Sequence, residues 1–184
     1  MIRHFQPARR RAIVASAAFL AVSILPMPAA FAQTAHKPKV ALVMKSLANE
    51  FFLTMENGAK DYQKHNASQF DLITNGIKDE TDTANQIRIV EQMIVSKVDA
   101  LVIAPADSKA LVPVLRKAVD AGIIVVNIDN QLDPAVLKSK DLNVPFVGPD
   151  NAKGAQKVGD YLAKHLKAGD NVAIIEGVST TTNA

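Results

Sequence analysis

The sequence predicts an α/β fold, a three-layer lobe built on a parallel sheet and followed by the incomplete start of a second, similar lobe. Short β-branched apolar runs recur along the chain, with helical patterns carrying their own start signals between them. The alternation is regular, and parallel neighbours can only be joined by a crossover, usually a helix. Together these observations give a Rossmann-like lobe.

The expected strands cover residues 40–44, 71–74, 100–104, 123–128, 145–147 and 172–175. Asn49 opens the first helix, which is expected to reach about residue 66. Thr83 or Asp82 can cap the second, with Ile87, Val90 and Ile94 on one face. The third is expected to begin at Ser108, with Pro113 in an early turn and Leu111, Leu115, Ala118 and Val119 facing inward. Asp150 or Asn151 opens the fourth, whose apolar side carries Val158, Leu162 and Leu166. Gly122 and Gly169 stand where helix C-termini need a positive φ.

One stretch interrupts the rhythm. Residues 129–144 hold a proline and several charges without clear periodicity, which predicts an irregular crossover or functional loop. Gly148-Pro149 then makes a hinge. The expected division is a first lobe over residues 38–147, with the hinge and the start of a second lobe over 148–184. Two strands and a helix are too little for a core, so the sequence is expected to be the first part of a longer chain.

The first 32 residues read as an export signal. Arg9-Arg10-Arg11 precedes an uncharged apolar run, and Ala30-Phe31-Ala32 has the small-x-small form of a cleavage site. The run is short for a membrane span, and Pro26 and Pro28 break it. Cleavage is expected after Ala32. It lowers the count of Lys and Arg from 21 to 17 against 18 acids, so the basic character belongs to the signal and argues for no nucleic-acid partner. The absence of cysteine excludes thiol catalysis and leaves stability to the packed core.

Little in the sequence nominates an enzyme. Residues 45–49 contain no glycine, so neither a dinucleotide fingerprint nor a P-loop follows the first strand. His4, His36, His65 and His165 share no metal-ligand spacing, and Ser46, Ser108 and Ser179 lack a nucleophile elbow. No cofactor or metal is expected.

Polar residues instead collect where strands end, which is where open parallel sheets bind ligands. The first strand delivers Lys45, Ser46 and Asn49, and the third delivers Asp107 and Ser108, both read as helix caps. The fourth delivers Asn127, Asp129, Asn130 and Gln131, the hinge Asp150 and Asn151, and the last strand residues 179–183, Asn183 among them. A carboxylate such as Asp129 directly after an apolar strand suits the hydroxyls of a sugar or polyol. Phe51 and Phe52 read either as the first core residues of the helix or as a stacking surface beside Asn49.

At this point the residues resemble a family. Ala41-Leu42-Val43-Met44 followed by Asn49-Glu50-Phe51-Phe52 and Gly58-Ala59 is similar to the opening of the periplasmic sugar-binding proteins of ribose type, type I periplasmic binding proteins. Ile103-Ala104-Pro105-Ala106-Asp107-Ser108, Ile128-Asp129-Asn130-Gln131, Val147-Gly148-Pro149-Asp150-Asn151 and Glu176-Gly177 continue the series in order. The resemblance implies two Rossmann-like lobes joined by a hinge. Held between them is a monosaccharide or polyol, presented to the membrane permease of an ABC importer and in some cases to a chemoreceptor. It implies a periplasmic monomer. Asn49, Phe51, Phe52 and Asp129 match first-lobe ligand positions. Asn130 stands where ribose binders usually carry Arg, and Glu50 replaces the usual Pro, which permits another pentose, a hexose or a sugar alcohol. Competing classes are the effector domain of a lac-repressor-like regulator, disfavoured by the export signal, and an exported α/β enzyme, for which no catalytic set is present.

Overall fold

A computed structural model describes residues 36–183. The expected export signal lies outside the described residues. Five strands, β1 (Lys39–Ser46), β2 (Asp71–Ile77), β3 (Ala100–Ile103), β4 (Ile124–Ile128) and β5 (Phe146–Val147), form one parallel sheet in the order β2-β1-β3-β4-β5. Helices α1 (Glu50–His65), α2 (Thr83–Val95), α3 (Val112–Asp120) and α4 (Pro134–Ser139) connect them, and α5 (Asn151–Ala163) follows β5.

The strand pleat sorts residues to two faces. Ala41 and Val43 join the larger core with Leu101, Ile103, Val125 and the inner faces of α2 and α3. Leu42 and Met44 point the other way, meeting Phe52 of α1 and Ala104. The layers are therefore helix, sheet and helix. The second face is thinner, and Ile124 stays 67% exposed. No helix among the described residues is long and apolar enough to cross a membrane.

Several boundaries differ from expectation for local reasons. Strand β2 runs on through Asn75 and Gly76 to Ile77, because β1 carries a bulge between Met44 and Ser46 that keeps the two in step. Glycine is needed at 76, where a Cβ would meet Leu47 Cγ at 2.8 Å and Met44 O at 3.1 Å. Helix α3 starts at Val112 rather than Ser108. Asp107 Oδ1 accepts from the amides of Lys109 and Ala110, both at 2.7 Å, and closes a separate turn first. Helix α2 is capped by Asp82, and it buries Gln86, Ile89, Val90 and Met93, with Ile87 and Ile94 at the margin.

Two expectations fail more substantially. The stretch 129–144, read as irregular, contains α4, with Asp133 as N-cap accepting from Ala135 and Val136 and Pro134 in the first turn. Leu132, Leu142 and Val144 are buried around it. The run 172–175, read as a buried strand, forms no strand, and Ile174 and Ile175 are 86% and 98% exposed. A parallel strand exists through its neighbours' hydrogen bonds, and this run pairs with no strand among the described residues. Every residue from Gly148 to Gly177 is exposed. Gly122 and Gly169 do adopt positive φ, 84° and 94°.

Candidate ligand-binding crevice

Strand order 2-1-3-4-5 reverses direction between β1 and β3, and crevices for ligands open beyond the strand ends at such a point. The bulge turns β1 out of the sheet just there. Ser46 Oγ donates to Lys78 O at 2.9 Å and Leu47 N to Ile77 O at 3.0 Å, so the β1 and β2 loops leave side by side.

Asn49 caps α1, its Oδ1 accepting from Phe51 N at 3.0 Å, while its Nδ2 donates to Glu80 Oε1 at 3.1 Å. The other oxygen of Glu80 pairs with Lys45 Nζ at 3.4 Å. Lys45 is 7% exposed, and its ammonium lies 5.9 Å from the centre of the Phe52 ring. Phe51 and Phe52 meet edge to face at 5.1 Å. Their surroundings differ. Phe52 is 4% exposed and packs with Leu42 and Met44, whereas Phe51 is 56% exposed and presents its ring outward.

Asp129 enters from β4 with φ of 59°, a left-handed conformation that Asp tolerates better than most residues. Buried Asn127 holds the loop in that shape: its Oδ1 accepts from Leu132 N at 2.8 Å, and its Nδ2 donates to Asn130 O at 2.8 Å. Burial pushes the Asp129 carboxyl above the usual carboxylate range. The positive charge of Lys45 works against that rise and the negative charge of Glu80 adds to it.

Lys45, Asn49, Phe51, Phe52 and Asp129 thus gather at one end of the sheet, with Glu80 linking the first two. Asn130 stands apart: it is fully buried, and its Nδ2 donates to Pro105 O at 3.0 Å and lies 3.2 Å from Ser108 Oγ. Its side chain is spent on joining two loops. Asp150 caps α5, accepting from Lys153 N at 3.0 Å, and this bond holds its exposed carboxyl below the usual range. Asn183 Nδ2 reaches Asp129 O at 3.4 Å. The sequence reading missed Glu80, because ending β2 at residue 74 left Lys78-Asp79-Glu80 far from any strand end. It also missed Gln86, a fully buried amide that bridges Met44 O, Ala104 O and Ala106 N and so fixes the ends of β1 and β3. Among the described residues no cluster of His, Cys, Asp and Glu has the makings of a metal site.

A doubly wound sheet with a polar and aromatic crevice at its switch point defines a ligand-binding lobe. The chain matches the periplasmic binding protein domain over residues 40–184 and belongs to that family. It is 70% identical over 96% of its length to a D-ribose/D-allose-binding protein of Pseudomonas aeruginosa, of which it covers 56%. It is 32% identical to the D-allose-binding periplasmic protein of Escherichia coli, over 74% of this chain and 44% of that protein. Among solved structures, an ABC transporter solute-binding protein from Burkholderia multivorans aligns with a TM-score of 0.79 and 90% identity, over 82% of this chain and 53% of that one. Its unknown ligand is interpreted as α-D-erythrofuranose. A periplasmic solute-binding protein from Actinobacillus succinogenes with bound D-allose aligns at 0.72 and 37% identity, over 80% of this chain and 51% of that one. The chain spans about half the length of the relatives it matches.

Proposed function

We propose that this chain supplies the first sugar-binding lobe of the solute-binding component of an ABC importer, with residues 148 onward forming the hinge and the start of the second lobe. The observation that carries the reading is the meeting of Lys45, Glu80, Asn49 and Asp129 beside the exposed ring of Phe51. A carboxylate accepts from hydroxyls and an ammonium and an amide donate to them, so the group reads several hydroxyls of one ring at once. Phe51 offers its face to the apolar side of the sugar, and Phe52 backs Lys45 from within the core. The names of the relatives favour D-allose and D-ribose as ligands, and the pair of buried Lys45 and half-buried Glu80 supplies polar groups for a fully hydroxylated ring. Asp150 and Asn183 frame the crevice in this reading, and buried Asn130 holds the loops behind it. The role is capture and release, not turnover. Binding biases a hinge equilibrium, and the closed form is what a membrane permease receives. The export signal would be removed after Ala32 and leave the mature protein in the periplasm.

Titration calorimetry of the full-length protein with D-allose and D-ribose tests this. Saturable binding of at least one is expected, and Asp129→Ala should weaken it by roughly 1.5–3 kcal/mol, the worth of a hydrogen bond to a charged group. No heat with either sugar, or unchanged affinity in Asp129→Ala, would sink the assignment.

A further inference from the structure

We infer that residues 180–183 form one half of a clasp whose other half is a polar socket on the first lobe, made by buried Ser108 and Asn130 and by the main-chain carbonyl of exposed Gln131. The inference rests on the reading that residues beyond the hinge belong to a second lobe. After the uninterrupted exposure of residues 148–177, the chain returns to the sheet and Thr181 falls to 9% exposed. It returns on specific bonds. Ser108 N donates to Thr180 O at 3.0 Å, and Thr182 N donates to Ser108 Oγ at 3.0 Å. Thr182 Oγ1 lies 2.8 Å from Gln131 O and 3.2 Å from Asn130 Oδ1. Asn183 accepts from Asn151 Nδ2 at 2.9 Å, which ties the segment to the start of α5 as well.

The socket is built by the first lobe and left one partner short. Ser108 is 2% exposed and donates its proton to Gln131 O at 2.8 Å, and Asn130 is fully buried with its Nδ2 committed to Pro105 O. Asn130 Nδ2 also donates to Ser108 Oγ at 3.2 Å, and Gln131 O already accepts from Ser108, so the acceptor left without a first-lobe donor is the buried Asn130 Oδ1, 3.2 Å from Thr182 Oγ1. A buried acceptor without a donor carries its full desolvation cost, so the socket is satisfied when the segment is seated and frustrated when it leaves.

The clasp also touches the crevice. Asp129 directs its carboxylate into the field of Lys45 and Glu80, and its carbonyl accepts from Asn183. Ligand held by the side chain and clasp held by the backbone therefore stabilise one loop conformation, and each favours the other. Seating of residues 180–183 is a built-in contribution to closure, present without sugar and reinforced by it.

Amide exchange on the unliganded chain reads the clasp directly. Thr182→Val keeps size and the backbone donor but removes the hydroxyl. The Ser108 amide should be protected in the parent chain and exchange about five-fold faster in T182V, while Leu101 in β3 is unchanged. Free exchange at Ser108 in the parent, or equal protection in both chains, overturns the clasp. In the full-length protein the release of D-allose should be about five-fold faster in T182V, and an equal rate overturns the coupling to the crevice. The exchange measurement needs no sugar, so a protein that binds no allose would defeat the importer reading while leaving the clasp standing on its own result.

Discussion

Residues 39–147 and residues 148–177 are written in the same strand-and-helix grammar, yet only the first stretch folds into a lobe with an interior. In the first, Leu101, Ile103, Leu111 and Leu115 are fully buried. In the second, Val158, Tyr161, Leu162, Ile174 and Ile175 carry the same kind of apolar pattern and all stand exposed. The helix of the second stretch forms because its cap and propensity are local. The strand does not, because a strand's bonds belong to its neighbours. Amphipathic pattern is thus a statement about a partner surface, and it becomes structure only where that surface is present.

The largest effect that separates the two stretches is a core truncation. Leu101→Ala removes a fully buried side chain between the sheet and the helices, and should cost about 2–5 kcal/mol in urea unfolding of this chain. Leu162→Ala, on the open face of α5, should stay within about 0.5 kcal/mol. A comparable loss at Leu162 would show that α5 is buried in solution and would erase the contrast.

A smaller effect comes from two caps of the same design. Asp133 caps α4 and Asp150 caps α5, each accepting from backbone amides of the first turn. Helix α4 lies against the core through Val136 and Leu137, so Asp133→Ala should lower the thermal midpoint by roughly a few degrees. Helix α5 has no buried residue, so Asp150→Ala should reduce helical circular dichroism without moving the midpoint. A shifted midpoint in the second variant would mean that α5 unfolds together with the lobe.

The same contrast explains what could be read in advance. Strands β1 to β5 were legible from short apolar runs in regular alternation with helical patterns, and Lys45, Asn49 and Asp129 from their places just beyond strand ends. Glu80 was hidden by Asn75-Gly76, which looks like a turn in sequence and is instead the continuation of β2 beside the bulge of β1. Helix α4 was hidden by its brevity, although Asp133-Pro134 is a start signal once the cap is considered. Asn130 looked like a ligand residue because, with Asp129, it directly follows an apolar strand. Only the fold shows that Asp129 faces the charges of Lys45 and Glu80 while the Asn130 amide is buried against Pro105 and Ser108.

The smallest effect on stability, and the most specific to the crevice, is the pH dependence of two carboxylates. Burial raises the pKa of Asp129 in the folded lobe, whereas the Lys153 amide lowers that of Asp150 in the exposed helix. A raised folded pKa means that the folded state holds the proton more tightly, so Asp129 favours folding most below its unfolded value, near 3.9. That contribution is lost as pH rises through the folded pKa, and the ionised carboxylate is then a cost at neutral pH. Asp150 runs the other way, with its contribution present above the unfolded value and lost as pH falls through the lowered one. Asp129→Asn should therefore unfold at slightly higher denaturant than the parent at pH 7, with the advantage shrinking toward pH 4, while losing sugar in the full-length protein. Asp150→Asn, which keeps a good cap on a helix with no buried residue, should leave the denaturant midpoint of the lobe unmoved. Denaturant midpoints at several pH values decide the matter. A lobe made less stable by Asp129→Asn at pH 7 would show that Asp129 supports the loop rather than being held in the crevice at a cost for a ligand to recover.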